Sequence, residues 1–496
     1  MPNTLSPISQ PVTIFLIGAT GDLAKKKILK AMYVLFEQSL LATQFTIIGN
    51  ARKEYNDQTF RAFVKEVVKP SSEAVWSDFA QHLFYWQGDA SMAESFTDLS
   101  KKYDELPSTA KTPNHLWYLA TLPKLYEAVI SNLQGSNLLQ QASGWTKIML
   151  EKPFGTDLAT SRALNQTLTS AFPEEHIYRL DHFLGKETVQ NILAFRFANG
   201  IFEHLWKSEY IDHIQVTASE TLGISGRGQF YDETGTVRDV VQNHVLQMLA
   251  VAMMEEPASL EPEVIRKHRS AFLHSLIPLT TEELSTQAAF GQYQSGQIDG
   301  EVSKSYQDES DVAPLSSTET AVAFKAYSSA PRWKDVPIYI RAGKRLATSV
   351  TEISFYFREP SNRIFSQDVS QNTPNVLTFR IQPSEGIVLK LMVKKPGLSM
   401  ILNEVPMSFR YHNQFQMDLV EAYIKLIYDA VKADPSLFPQ ADEIDAAWEF
   451  IQPLLDHLQQ PAFRPEAYTA GTWGPESFDK LIQGDGRTWL EPEKTA

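Results

Sequence analysis

The chain of 496 residues contains no cysteine, which excludes disulfides, thiolate zinc sites and a cysteine nucleophile. It has no run of about eighteen apolar residues, so no helix is expected to span a bilayer. The N-terminus, MPNTLSPISQPVTIFLIGAT, lacks a cationic start and a small-residue cleavage site, and its apolar stretch runs into a glycine turn. It therefore reads as a first strand and not as a signal peptide, and a cytoplasmic location is expected. Internal repeats and low-complexity linkers are also missing. So is positive charge: a formal net charge of −14 argues against non-specific nucleic-acid binding. An anionic small substrate would need a local cluster of cations.

What remains is an ordinary globular composition, 43% hydrophobic and 21% charged. The length exceeds what one core usually supports, so two domains are expected, at 1–180 and 181–496. Over the first 180 residues, strand-like runs alternate with helical stretches. VTIFLIGAT, FTIIGNA, HLFYWQGDA, HLWYLAT and TKIMLEKP are the strand candidates. Such alternation predicts a doubly wound, Rossmann-like α/β domain with a mostly parallel sheet. After about Tyr210 the β-rich runs IDHIQVTASE, TAVAFKAYSS, VPIYIRAG, TEISFYFRE and NVLTFRIQ arrive without regular intervening helices. They predict a larger α+β domain with a large, mainly antiparallel sheet, interrupted by an apolar helix over Val237 to Met254.

Five segments carry candidate chemistry. Gly18, Thr20, Gly21, Asp22 and Leu23 follow the first strand, where glycines let backbone N–H groups approach a pyrophosphate at a helix N-terminus. The dinucleotide fingerprint is incomplete, because Leu16 and Ala24 occupy the places of its first and third glycines, so an ordinary tight turn is the alternative. After the second strand stand Arg52 and Lys53 in place of the usual carboxylate, which suits the extra phosphate of NADP; a solvated basic loop is the alternative. Lys152, at the end of the strand TKIMLE, lies where open α/β sheets bind ligands, unless it is simply solvated. Pro153 keeps Lys152 extended and permits a cis bond. In RLDHFLGKE, His182 and Lys186 are four apart, and on a helix they would share a face and suit a phosphate dianion; a polar interdomain loop is the alternative. His244 stands near the start of a buried helix with Asp239 before it. Such a histidine is either a satisfied core residue or a general base working near neutral pH.

Together, GATGDLAKKK, EKPFG, RLDHFLGKE, ETLGISGRGQFYDETGTVRDVVQNH and VPIYIRAGKRL closely resemble the glucose-6-phosphate dehydrogenase family. The resemblance extends over residues 12 to 490. It implies oxidation of D-glucose 6-phosphate to 6-phospho-D-glucono-1,5-lactone, the first step of the oxidative pentose phosphate pathway. The cofactor implied is NADP, with NAD use left open. His244 would be the general base and Asp181 its partner. Lys152, His182, Lys186, Glu220, Asp239 and Lys344 would hold the substrate, with Lys152 also beside the nicotinamide. Gly18, Thr20, Gly21, Asp22, Leu23, Arg52, Asp89 and Ala90 would hold the cofactor. No metal is implied, and a homodimer through the β-rich domain, or a homotetramer, is expected.

Three departures from the family pattern stand out: Ser349 where a basic residue is usual, Thr121 in an LALPP-like segment, and Leu180 with Phe183 in place of Ile and Tyr. Two rival readings are a sugar dehydrogenase of the glucose-fructose oxidoreductase or inositol dehydrogenase type, and a catalytically inactive regulator. The first leaves His182 with Lys186 unexplained. The second predicts loss of His244 or Asp181, and both are present.

Overall fold

The computed structural model describes residues 6–42, 44–139, 143–359, 373–417 and 419–492. The chain forms two compact units. The first comprises Met1–Gly185 with two later segments, Ser259–Arg266 and Val420–Asp445. The second comprises Lys186–Ala258, Lys267–Leu419 and Ala446–Ala496. The division expected at residue 180 is a division of sequence. In space the helix Ala422–Lys432 joins the first unit, because its Leu426, Ile427 and Val431 complete that unit's hydrophobic core.

The first unit holds a six-stranded parallel sheet of β1 (Val12–Ile17), β2 (Phe45–Ala51), β3 (Leu83–Gln87), β4 (His115–Leu119), β5 (Thr146–Glu151) and β6 (Ile177–Leu180). Their order is β3-β2-β1-β4-β5-β6. Every residue of β1 is buried, as a parallel strand covered on both faces requires, and this explains its unbroken apolar run. The order reverses direction at β1, which has β2 on one side and β4 on the other. That reversal opens a crevice beyond the carboxyl ends of the strands, where doubly wound sheets bind ligands.

The second unit is built on β7 (Ile211–Ser219), β8 (Leu276–Ile277), β9 (Ala288–Gln294), β10 (Gly296–Ile298), β11 (Glu301–Ser303), β12 (Ala321–Ser328), β13 (Ile338–Gly343), β14 (Val350–Phe357), β15 (Val376–Gln382), β16 (Gly386–Lys394), β17 (Leu402–Arg410) and β18 (Glu466–Thr469). The large sheet runs β17-β16-β15-β14-β7-β13-β12-β9-β18, with β8 pairing β12, while β10 and β11 form a separate hairpin. Most pairings are antiparallel, as expected. Two are parallel, β13 with β7 and β18 with β9. Buried Glu352 and Arg380 face each other across β14 and β15 and form an ion pair of 2.9 Å.

The expected apolar helix is present, but its first half, Val237–Val245, has π-helical hydrogen bonding before α-helix resumes over Leu246–Met253. All eight residues from Leu246 to Met253 are buried. The indole N–H groups of Trp206 and Trp333 donate to the carbonyls of Ala252 (2.8 Å) and Met253 (2.7 Å). They satisfy acceptors that a helix end leaves open.

Candidate active site

On the first unit, β1 ends in a turn whose Gly18 has φ of +89°. A Cβ there would lie 2.4 Å from the carbonyl oxygen of Ala120, so only glycine fits this approach of β1 to β4. The N–H groups of Gly18 and Ala19 both donate to Asn50 O, at 3.0 and 2.8 Å, which ties the turn to the end of β2. Gly21 and Asp22 are exposed at the lip, and the chain enters a helix at Ala24. Gly18, Thr20, Gly21, Asp22 and Leu23 are thus gathered at the reversal point of the sheet, with backbone close to the surface and a helix start behind them. Such an arrangement fits a dinucleotide phosphate.

The loop after β2 carries exposed Arg52 and Lys53. Its course is set by Tyr85, whose hydroxyl donates to the carbonyls of Ala51 (2.9 Å) and Lys53 (2.6 Å). Asn50, at the end of β2, donates to Trp86 O (3.2 Å) and Gly88 O (3.0 Å). Asp89 accepts from the N–H and the hydroxyl of Ser91, at 3.0 and 2.7 Å. Those bonds, with the charge of Arg52, hold its carboxyl below the ordinary range. Ala90 is buried beside it.

At the end of β5, the Lys152–Pro153 peptide is cis. Glu151, one residue earlier, accepts from the hydroxyls of Tyr118 (2.7 Å) and Tyr423 (3.4 Å), and its carbonyl accepts from Tyr126 (2.8 Å). Burial pushes the Glu151 carboxyl up to about 7; the two hydroxyls and the Lys152 charge act downwards, and Asp181 acts upwards. Asp181 is buried, and its Oδ1 accepts from the Phe183 N–H at 2.9 Å. The His182 ring lies near-parallel to Tyr423, at 14° and 6.4 Å between centroids.

The helical premise for His182 and Lys186 is not met. Residues 182–185 form a turn, and Lys186 is the extended N-cap (φ −73°, ψ 132°) of the helix Glu187–Phe197. The turn follows from Asp181, whose side chain captures a backbone N–H two residues on, a local bond that competes with helix. The Lys186 ammonium donates to Gln382 Oε1 at 2.5 Å within the second unit.

In that second unit, Lys344 Nζ pairs with Glu220 Oε2 at 2.8 Å. Its backbone N–H donates to Thr320 O (2.9 Å), and its carbonyl accepts from Tyr468 (2.6 Å). Asp239 and His244 are five residues apart on the π-helix, the spacing of one π-type hydrogen bond, so they share a face that an α-helix would divide. Asn243 donates from its amide to Arg238 O (3.1 Å), and its Oδ1 accepts the His244 N–H (2.6 Å). His244 is buried. Below the helix start, Glu319 Oε1 accepts the Val237 N–H at 3.0 Å, and burial pushes its carboxyl up to about 7.

Two family models account for nearly the whole chain. Residues 15–191 match "Glucose-6-phosphate dehydrogenase, NAD binding domain", and residues 193–490 match "Glucose-6-phosphate dehydrogenase, C-terminal domain". The chain belongs to the glucose-6-phosphate dehydrogenase family. It is 40% identical over 483 residues to the glucose-6-phosphate 1-dehydrogenase of Aggregatibacter actinomycetemcomitans, covering 97% of each chain. The same enzyme of Bacillus subtilis (strain 168) is 36% identical, with 97% of this chain and 98% of that one covered. A solved structure described as glucose-6-phosphate dehydrogenase in complex with its substrate glucose-6-phosphate is 32% identical, with a TM-score of 0.89 over 98% of this chain and 100% of that one.

Within this family frame the three departures have local consequences. Ser349 accepts the Thr221 N–H and shares a hydrogen bond with the Thr221 hydroxyl, both at 2.8 Å, so it anchors the residue after Glu220 in place of supplying charge. Thr121 follows Ala120, whose N–H donates to Ile17 O (2.9 Å) and keeps this segment against β1. Leu180 and Phe183 are both buried, with the Phe183 ring 5.0 Å from that of His182. Motif reading passed over Glu151, Tyr85, Tyr423 and Glu319. A carboxylate closing the strand TKIMLE directly before Lys152 was the visible signal for Glu151. Tyr85 and Tyr423 look like ordinary core aromatics in sequence, and nothing marks Glu319.

Proposed function

We propose that the chain oxidises D-glucose 6-phosphate at C1 to 6-phospho-D-glucono-1,5-lactone with NADP as hydride acceptor. The observation that carries this reading is the full-length family match together with the presence of His244, Asp181, Lys152, His182, Lys186 and Lys344 at the motif positions. His244 takes the proton from the anomeric hydroxyl as C1 loses hydride. Asp181 orients the imidazole and stabilises it as it becomes an imidazolium, the logic of a catalytic triad. The bound nicotinamide supplies an electrophilic ring carbon that accepts the hydride. His182 and Lys186 hold the substrate phosphate, while Glu220, Asp239 and Lys344 bind sugar hydroxyls. The existing Lys344–Glu220 pair orients both side chains before substrate arrives.

On the cofactor side, the turn Gly18–Leu23 holds the pyrophosphate, Lys152 lies beside the nicotinamide, and Asp89 with Ala90 flanks the adenosine. Arg52 favours NADP, a reading supported by the absence of a carboxylate between Gly49 and Lys53 and by the clamp of Tyr85 on the Arg52 loop. Self-association through the large sheet is supported by apolar exposure on its edge strand β17 and the adjoining β16, where Val405, Met407 and Val393 are 38%, 63% and 40% exposed. No helix among the described residues is long and apolar enough to cross a membrane.

The test is cofactor reduction, followed by absorbance, with glucose 6-phosphate against free glucose and NADP against NAD. Rapid reduction with the phosphorylated sugar and NADP is expected. Folded protein that binds NADP yet reduces neither cofactor would contradict the reading.

A further inference from the structure

We propose that Glu151 is a positioning residue for this reaction: its carboxylate, gripped by Tyr118 and Tyr423, holds Lys152 and His182 in register with each other. The inference rests on the functional reading above and adds to it a residue that makes no contact of its own with substrate.

The geometry is specific. Glu151 closes β5, in register with Leu180 of β6 and one residue beyond the Leu150–Leu119 pair with β4. Three tyrosines from three elements converge on it: Tyr118 from β4, Tyr126 from the helix Tyr126–Gln134, and Tyr423 from the helix Ala422–Lys432. Two of them grip the side chain and the third grips the carbonyl. Glu151 is only partly exposed, and desolvating a carboxylate is costly unless it is hydrogen-bonded, so folding alone does not call for a charge at this strand end. The carboxylate therefore calls for a reason in the site.

Its neighbours supply one. Lys152 is the next residue in the chain, so fixing Glu151 at both its carboxylate and its carbonyl fixes where the Lys152 side chain starts. Tyr423 links the same carboxylate to the neighbourhood of His182, whose ring runs near-parallel to its own at 6.4 Å between centroids. One acidic group thus braces a residue beside the nicotinamide and a residue on the substrate phosphate. The charged and titratable groups acting on Glu151 are Lys152, Asp181 and the hydroxyls of Tyr118, Tyr126 and Tyr423. Burial pushes the three hydroxyls upward, so they stay protonated and remain donors. Glu151 itself, with its carboxyl raised to about 7, is the member of this group that titrates in the neutral range.

The experiment compares wild type, Glu151→Gln and Tyr118→Phe in full steady-state kinetics between pH 5.5 and 9, with thermal melting of each protein. Glutamine keeps the size and one acceptor but removes the charge. Glu151→Gln is expected to lower kcat at least tenfold and raise KM for glucose 6-phosphate several-fold. KM for NADP should stay within twofold, and the pH profile of kcat/KM should lose an ionisation near 7. Tyr118→Phe, the second variant should glutamine prevent folding, is expected to lower kcat about threefold or more without changing KM for NADP. Kinetics within twofold of wild type at every pH, or losses that fall equally on both substrates and track the melting temperature, would overturn the proposal. A wild-type protein without activity on glucose 6-phosphate would overturn the functional reading first, and is told apart because it precedes any comparison of variants.

Discussion

The turn at Gly18, proposed to hold the cofactor, and the surroundings of Lys344 and His244, proposed to hold the sugar, are positioned in opposite ways. Around Gly18 the positioning is done by backbone: N–H groups of Gly18 and Ala19 on Asn50 O and a left-handed glycine against Ala120 O, with Gly21, Asp22 and Arg52 exposed. Around Lys344 and His244 it is done by side chains: half-exposed Glu220 on buried Lys344, and buried Tyr468 on the Lys344 carbonyl, Asn243 on the π-turn and Glu319 on the helix start. A backbone cradle recognises a phosphate through groups that every residue carries, so it tolerates changed side chains where Cβ space permits. A side-chain lattice is intolerant, because removing one partner leaves another polar group buried without its bond. Substitutions on the sugar side should therefore damage the reaction far more than those on the cofactor side.

The largest expected effect is on His244. Replacing it by Asn should cut kcat by about three orders of magnitude or more, because a general base acts mainly in the transition state; stopped-flow or steady-state absorbance measures this directly. Next comes Lys344→Ala, which strips Glu220 of its partner and should raise KM for glucose 6-phosphate about ten- to a hundredfold while changing kcat much less. On the cofactor side, Arg52→Ala should raise KM for NADP about tenfold and leave KM for NAD nearly unchanged. If Arg52→Ala disturbed both cofactors and the sugar as severely as Lys344→Ala, the contrast between cradle and lattice would fail.

The smallest effect is on stability, at Glu319. Its carboxyl is raised to about 7 by burial, so the fold holds that proton more tightly than the unfolded chain does. The stability this contributes is complete below about pH 4.5 and is lost as pH rises through about 7. Against Glu319→Gln, which cannot titrate, wild type should lose up to about 3 kcal/mol of relative stability between those limits, measured by urea unfolding at each pH. A pH-independent difference would place Glu319 outside the buried lattice.

Legibility in sequence followed the same divide. The parallel sheet could be read because each strand is an apolar run followed by an amphipathic helix, and β2 falls on the expected FTIIGNA segment. The larger sheet was legible as β-rich texture, but its two parallel pairings are long-range matters of topology that no local pattern encodes. The turn of backbone at Gly18 announces itself through glycine. The π-register over Val237–Val245 does not, since its residues have the same hydrophobic texture an α-helix would show. The four-residue spacing of His182 and Lys186 would have meant a shared face only on a helix, and the segment is instead the Asp181 turn, set by a local hydrogen bond. Glu151, Tyr85 and Glu319 act through partners tens or hundreds of residues away, so their places became visible only in three dimensions.

The central claim is that His244 acts in the chemical step while Lys344 and the groups around it act in binding. Its most direct test is calorimetric titration of glucose 6-phosphate into His244→Asn, set beside the turnover of the same protein. The account predicts a dissociation constant within about threefold of wild type and turnover reduced by about a thousandfold or more. Turnover within tenfold of wild type, or binding lost together with turnover, would contradict it.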